Sequence, residues 1–353
     1  MKLTDAALQS SATGNYAYVT ARVRARETKL IPATEYQKLL AMDVFEISRY
    51  IQEGNYKREV DELAAKYRGA ALIERAGRLR LARTYQEVIR WSTGDIRRMV
   101  LLYLQRYDVY NVKTILRGRF AGVSDEEIAS SLIPAGALSA DDLKELLRFQ
   151  SLEESVAALQ RTPYGAALGD GVAGDGGLAK AENALDMRYY ELLLASVEPN
   201  SHANRALLAF LRAEVDAINL KTVIRARVAG LEDVGEYLLK GGKEISGEVA
   251  RRMLRATPEE AARELESTRF APVADAVKRT LETSNLNAAV TAIDKLVLDS
   301  SSTFSNRYPL SILPIIDFVV RQRIETDNLR IIARGKQTGL REETLKELIR
   351  VVL

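Results

Sequence analysis

Residues 107–123, YDVYNVKTILRGRFAGV, decide how this chain is read, because the pattern returns at 215–231 (VDAINLKTVIRARVAGL) and 324–340 (IETDNLRIIARGKQTGL). Apolar residues at 112, 115 and 116, at 220, 223 and 224, and at 329, 332 and 333 keep the i, i+3, i+4 spacing of a helix face. Each copy closes on a glycine (Gly122, Gly230, Gly339) after basic residues in its last two turns. Cations suit the negative end of a helix dipole, and glycine takes the left-handed capping conformation without a Cβ clash. Asn111, Asn219 and Asn328 stand 108 and 109 residues apart, so each copy belongs to a unit of domain size. The expected fold is all-α, with three similar helical-bundle subdomains over 1–123, 124–231 and 232–353.

At about 100° per residue, Asn111, Val112, Ile115 and Arg119 share the face of Asp108. The same holds for Asp216, Asn219 and Arg227, and for Glu325, Asn328 and Lys336. An acid, an amide and a base thus recur on the side that packs. Buried polar groups need partners, so these nine residues read as pins that bond neighbouring helix ends. A catalytic carboxylate used three times is the competing reading, and no His or Cys stands with it. The pairs Lys113/Arg117, Lys221/Arg225 and Arg330/Arg334 fall on the opposite face. They are expected to be exposed, either solvated or meeting acidic groups of a partner.

Outward from the motif the repetition continues. Residues 16–32 look like a degraded half-copy, so the pattern starts in mid-repeat. Segments 30–51, 132–159 and 238–265 share a loop and two short helices, with Leu40, Leu147 and Leu254 each 107 residues apart. Longer helical stretches follow at about 58–91, 178–197 and 273–299. The motif helices are expected to run from after Thr93 to Phe120, from an N-cap at Ser201 to about Ala229, and from near Pro314 onward. A short amphipathic piece trails each motif, at 124–133, 232–239 and 341–353. In the last, Leu345, Leu348, Ile349 and Val352 need cover, and the incomplete N-terminal start is one candidate to supply it. No period-2 strand pattern occurs.

Composition narrows the function. The 353 residues carry 51 basic and 48 acidic side chains, a net charge of +3, which is too balanced to mark a nucleic-acid binder. There is no cysteine, which excludes disulfides and thiolate metal sites. The N-terminal MKLTDAALQSS lacks the apolar core of a signal peptide. The longest apolar run, 310–320, contains Pro314 and Asp317 and falls short of the roughly 20 residues of a membrane span.

Single features carry little chemistry. The glycine-dense segment 165–177, with Asp170 and Asp175, has neither a preceding strand nor a Gly-Lys-Ser/Thr, and reads as a linker. Gly335-Lys336-Gln337-Thr338 sits at a helix end, where phosphate-binding geometry is absent. His202 is the only histidine and has no second imidazole for zinc. Tyr189, Tyr190 and Trp91 read as packing aromatics, and Arg22, Arg24 and Arg26 as a solvated face. No catalytic residue, cofactor or metal ligand is assigned.

The opening YAYVTARVRARETKL (16–30), the threefold D-x-x-N-[VL]-[KR] helix with its R-[GA]-[RK]-x-x-G ending, and DMRYYELLL (186–194) together resemble the C subunit of archaeal-type (A/V-type) rotary ATP synthases. The d subunit of the vacuolar ATPase is its eukaryotic counterpart. The third copy departs most, with Glu325 for aspartate, Ala333 for a bulky aliphatic and Gln337 for an apolar residue. The resemblance implies a pseudo-threefold arrangement around a central cavity, like a funnel, in the central stalk of the rotor. It implies a non-catalytic part, present once per complex, that receives the tip of the D/F shaft and rests on the membrane proteolipid ring. Its place would be peripheral, at the cytoplasmic face. No nucleic acid or small-molecule substrate is implied. A soluble helical-repeat scaffold or RNA-binding protein is the alternative, marked by nucleic-acid affinity that falls steeply with salt.

Overall fold

Three long helices carrying the repeated motif set the frame. The computed structural model describes residues 15–160, 162–168 and 177–350, and among these every regular element is helical. Helices α1 (Tyr16–Glu27), α2 (Ala33–Ala41), α3 (Val44–Glu53), α4 (Lys57–Leu63) and α5 (Gly69–Trp91) precede the first motif, which lies on α6 (Gly94–Leu104) and α7 (Arg106–Phe120). Five helices lead to the second motif: α8 (Asp125–Ser131), α9 (Ala140–Leu146), α10 (Leu152–Leu159), α11 (Gly165–Leu168) and α12 (Gly177–Ala195). The motif itself is on α13 (His202–Val228). Then α14 (Gly247–Arg255), α15 (Pro258–Glu266), α16 (Ala274–Thr283) and α17 (Leu286–Arg307) lead to the third, on α18 (Leu313–Gln337), with α19 (Glu342–Leu348) behind it.

Local chemistry explains where the motif helices start and stop. The Ser201 hydroxyl accepts from the Asn204 N–H and caps α13, while Pro314 occupies the first turn of α18. At the far ends Gly122, Gly230 and Gly339 have φ of 65°, 73° and 75°. The following N–H of Val123, Leu231 and Leu340 then reaches back to Gly118 O, Ala226 O and Gly335 O at 2.8, 2.9 and 2.8 Å. That is one Schellman ending written three times.

Four elements differ from expectation, the first being the stretch 58–91, which residues 64–68 divide into α4 and α5. The first motif helix is interrupted at Gln105, where the backbone stays right-handed. The Tyr103 carbonyl, which would accept from Tyr107 in an unbroken helix, accepts instead from Tyr189 Oη at 2.8 Å and Arg106 Nε at 3.1 Å. The stretch 273–299 breaks at Ser284, whose φ is 58°. Residues 232–239 form only a 3₁₀ turn, Gly235–Tyr237. Residues 169–176 of the glycine-dense segment, with Asp170 and Asp175, lie outside the described residues, as does Val352.

The apolar core has three clusters. The largest gathers α1 and the starts of all three motif helices with much of α8–α12. The second surrounds the C-terminal half of α13 with α14–α17. In the third, Tyr36, Leu39, Leu40, Ile47 and Ile51 pack with Leu329, Ile332 and Ala333 of α18 and with Leu345 and Ile349. Cover for Leu345 and Ile349 comes from α17, α18 and α2, the last lying just beyond the half-copy at 16–32 and not within it, and Leu348 stays half-buried. The same cluster cuts across the expected divisions 1–123 and 232–353, because the short helices after a motif fold back on that motif's own helix. Behind α18 only α19 follows among the described residues, and α3 and α5 pack against α18 as well.

Candidate functional site: anchored motif helices and the cleft between their starts

The acids and amides of the motif are buried, and each meets backbone of the segment folded over it. Asn111 donates to Ile133 O at 2.7 Å and accepts from Ile133 N–H at 2.8 Å. Asn219 donates to Leu239 O at 3.0 Å and accepts from Leu239 N–H at 2.8 Å. Asn328 accepts from Arg350 N–H at 2.8 Å. Asp108 accepts from Ala137 and Leu138 N–H at 2.7 and 3.0 Å and from Tyr164 Oη at 2.7 Å. Asp216 accepts from the N–H groups of Lys243, Glu244 and Ile245 at 2.9, 3.1 and 2.9 Å. Glu325, one carbon longer, accepts from Tyr56 Oη at 2.6 Å and Ile31 N–H at 2.5 Å. Its loop therefore comes from the N-terminal region.

Two of the three bases complete the pattern. Arg119 donates to Leu147 O at 2.7 Å and Arg227 to Met253 O at 2.5 Å. Lys336 is half-buried and makes no hydrogen bond or ion pair among the described residues. The loops over Asp108 and Asp216 pass so close that a Cβ on Gly136 or Gly242 would strike the carboxylate.

On the opposite face Arg117, Arg225, Arg330 and Arg334 are exposed as expected, whereas Lys113 and Lys221 are half-buried, and five of the six have acidic partners within the chain. Lys113 pairs with Asp186 at 2.6 Å and Lys221 with Asp294 at 2.8 Å, both on the long helix that follows their own motif. Arg117 meets Glu182 at 2.5 Å, Arg334 meets Glu74 at 2.5 Å, and Arg330 meets Asp327 at 3.5 Å. Arg225 alone of the six is exposed without an ion pair among the described residues. Burial lowers the Lys221 ammonium pKa. Burial also works to raise Asp294, but Lys221, Arg350 and Arg323 outweigh it and hold that carboxyl below its ordinary range. Helix periodicity alone misses these acids, although a signal exists: Asp186 and Asp294 stand 108 residues apart, the spacing of the motif itself.

Where the motif helices begin, a cleft of about 940 Å³ opens between α6, α12, the start of α13 and Ile312 ahead of α18. Its rim carries Asp95, Arg98, Arg188, Glu198 and Asn204 over an apolar floor that includes Met99 and Leu207. Beside it Tyr189 and Tyr190 are buried edge to face, with ring centres 4.8 Å apart. Trp91 is half-buried, with the Arg22 and Arg26 guanidiniums 5.1 and 5.7 Å from its centre, and Arg24 pairs with Glu27. His202 is exposed at the start of α13. No group of three or more metal-ligating side chains occurs among the described residues.

Polar side chains here are spent on fastening helices to loops and to one another, which is the construction of a helical assembly part. Similarity to known proteins gives that class a family. The family model described as ATP synthase (C/AC39) subunit matches residues 19–348. The chain is 38% identical over 344 residues to the A-type ATP synthase C subunit of Methanosarcina acetivorans, covering 96% of this chain and 94% of that protein. It is 38% identical over 343 residues to that of Methanococcoides burtonii, covering 96% and 95%. For the protein of Archaeoglobus fulgidus the identity is 33% over 333 residues, covering 94% and 95%. The chain belongs to the ATP synthase (C/AC39) subunit family, and is thus a non-catalytic part of a rotary ATP synthase.

Proposed function

We propose that the chain is the socket of the central stalk in an A-type ATP synthase, joining the D/F shaft to the membrane proteolipid ring and passing torque between them. The observation that carries this reading is the third core cluster. By packing residues 36–51 against 329–349 it ties distant parts of the chain into one interlocked body. A close-packed interior deforms little under load, as a torque-bearing part requires. In this reading three units each comprise a motif helix and the helices after it, roughly 94–197, 202–307, and 313–350 with 31–91, around a central cavity. The cleft at the starts of the motif helices is then the seat for the shaft tip. No helix among the described residues is long and apolar enough to cross a membrane, which suits a peripheral place at the cytoplasmic face of the ring. One copy serves each complex. Co-sedimentation with proteolipid-ring membranes and with purified D/F shaft tests the reading: binding to both is expected, and binding to neither overturns it.

A further inference from the structure

Two residues before the motif acid, the three copies carry Arg106, Glu214 and Arg323, with the same 108- and 109-residue spacing as the asparagines. Two of these satisfy each other. Arg106 holds Glu214 through both oxygens at 3.1 and 3.0 Å, and Tyr103 Oη adds a third bond at 3.1 Å. Arg323 is left over. It makes no hydrogen bond or ion pair among the described residues, and its Nε is buried without a partner. The residue as a whole is half-buried, and Asp327 and Asp294 favour its charge from beyond contact distance, so the guanidinium stays charged with donors unused.

Arg323 lines a cleft of about 240 Å³ between α5, α7 and α18, together with Arg78, Arg330 and the acids Glu74 and Asp327. Neither acid contacts it, since both are engaged elsewhere. Glu74 is taken by Arg78 at 2.8 Å and Arg334 at 2.5 Å, and Asp327 by Arg350 at 2.7 Å and Arg330 at 3.5 Å. Lys221 and Arg350 likewise share Asp294 nearby. Cations therefore outnumber carboxylates around the cleft. Guanidinium forks suit tetrahedral oxyanions. At about 30 Å³ per water the space admits one such anion with some hydration.

We propose that this cleft binds a small oxyanion of the phosphate class, with the Arg323 guanidinium as its principal ligand and Arg330 at the rim. The inference stands apart from the socket role, since it concerns a different cleft. Its test is calorimetric titration of the intact chain with inorganic phosphate, against chloride at equal ionic strength. Saturable binding at one site is expected, weakened at least tenfold by Arg323→Met with helical circular dichroism unchanged, and weakened also by Arg330→Ala. ATP that competes with phosphate would show the site accepting a nucleotide's phosphate, whereas ATP without effect would confine it to the free anion; both uphold the site. No phosphate binding above that of chloride overturns the proposal. So does phosphate binding equal to the parent's in every variant that folds, and Arg330→Ala serves if the Met variant does not fold.

Discussion

Asp108 is pulled in opposite directions. Burial disfavours its charge, while Tyr164 and the N–H groups of Leu138 and Ala137 favour it, and burial prevails, raising the carboxyl to about 6. The folded value lies above the ordinary value near 3.8, so the folded state holds the proton more tightly than the unfolded chain. The contribution is therefore fully present below about pH 4 and is lost as pH rises through about 6, about 3 kcal/mol in all at 1.36 kcal/mol per pH unit. Urea denaturation from pH 4 to 7 should show that slope, and Asp108→Asn should flatten it at lower overall stability; an unchanged slope would assign it to other groups. Arg225 poses a different question, being the one opposite-face cation without an internal partner among the described residues. Arg225→Glu should leave the melting temperature within about 2 °C, as exposed substitutions do, yet weaken co-sedimentation with shaft or ring. Full retention would remove it from the interface.

Helix ends are where sequence and structure agree most closely, because capping is decided by a few adjacent residues. The threefold Schellman ending allows a clean comparison. Nothing stands within 4 Å of a Cβ added to Gly230, so Gly230→Ala should cost only the left-handed conformation, about 1–2 kcal/mol. Gly242→Ala drives a Cβ into the Asp216 carboxylate and disturbs the three N–H bonds it accepts, so the loss should exceed about 3 kcal/mol at about 1–3 per buried group. Chemical denaturation of both variants checks the order, and equal losses would mean that the loop yields. Other features are not legible in the sequence. At the break by Gln105 the free Tyr103 carbonyl is taken by Tyr189, 86 residues further along the chain. The wheel places Lys113 correctly opposite Asp108, but periodicity describes one helix and says nothing of α12 lying over that face with Asp186. The motif asparagines are readable because buried amides at domain spacing have few other uses, whereas Arg323 looks like any helix arginine until its neighbours are known to be paired.

At the scale of the whole molecule, residues remote in sequence depend on each other. Leu345 and Ile349 are fully buried in the cluster that joins residues 36–51 to α18, and each contributes about 1.5–3 kcal/mol by its burial. Arg350 adds ion pairs to Asp294 and Asp327 at 2.7 Å each, and its N–H satisfies Asn328. Ending the chain at Leu340 removes all of these, a sum comparable with the roughly 5–15 kcal/mol that stabilises a domain. The loss falls on the third cluster and on α17, which α19 and Arg350 touch, but not on α14–α16, the rest of the second cluster behind α13. Hydrogen exchange should therefore show the amides of α2–α4 losing protection in the shortened chain while those of α14–α16 keep theirs. Loss spread evenly would mean that the helices unfold as a single cooperative body. Protection of α2–α4 equal to that in the intact chain would mean that the N-terminal helices stand without their C-terminal partners, and the closure that the socket role relies on would fall with that result.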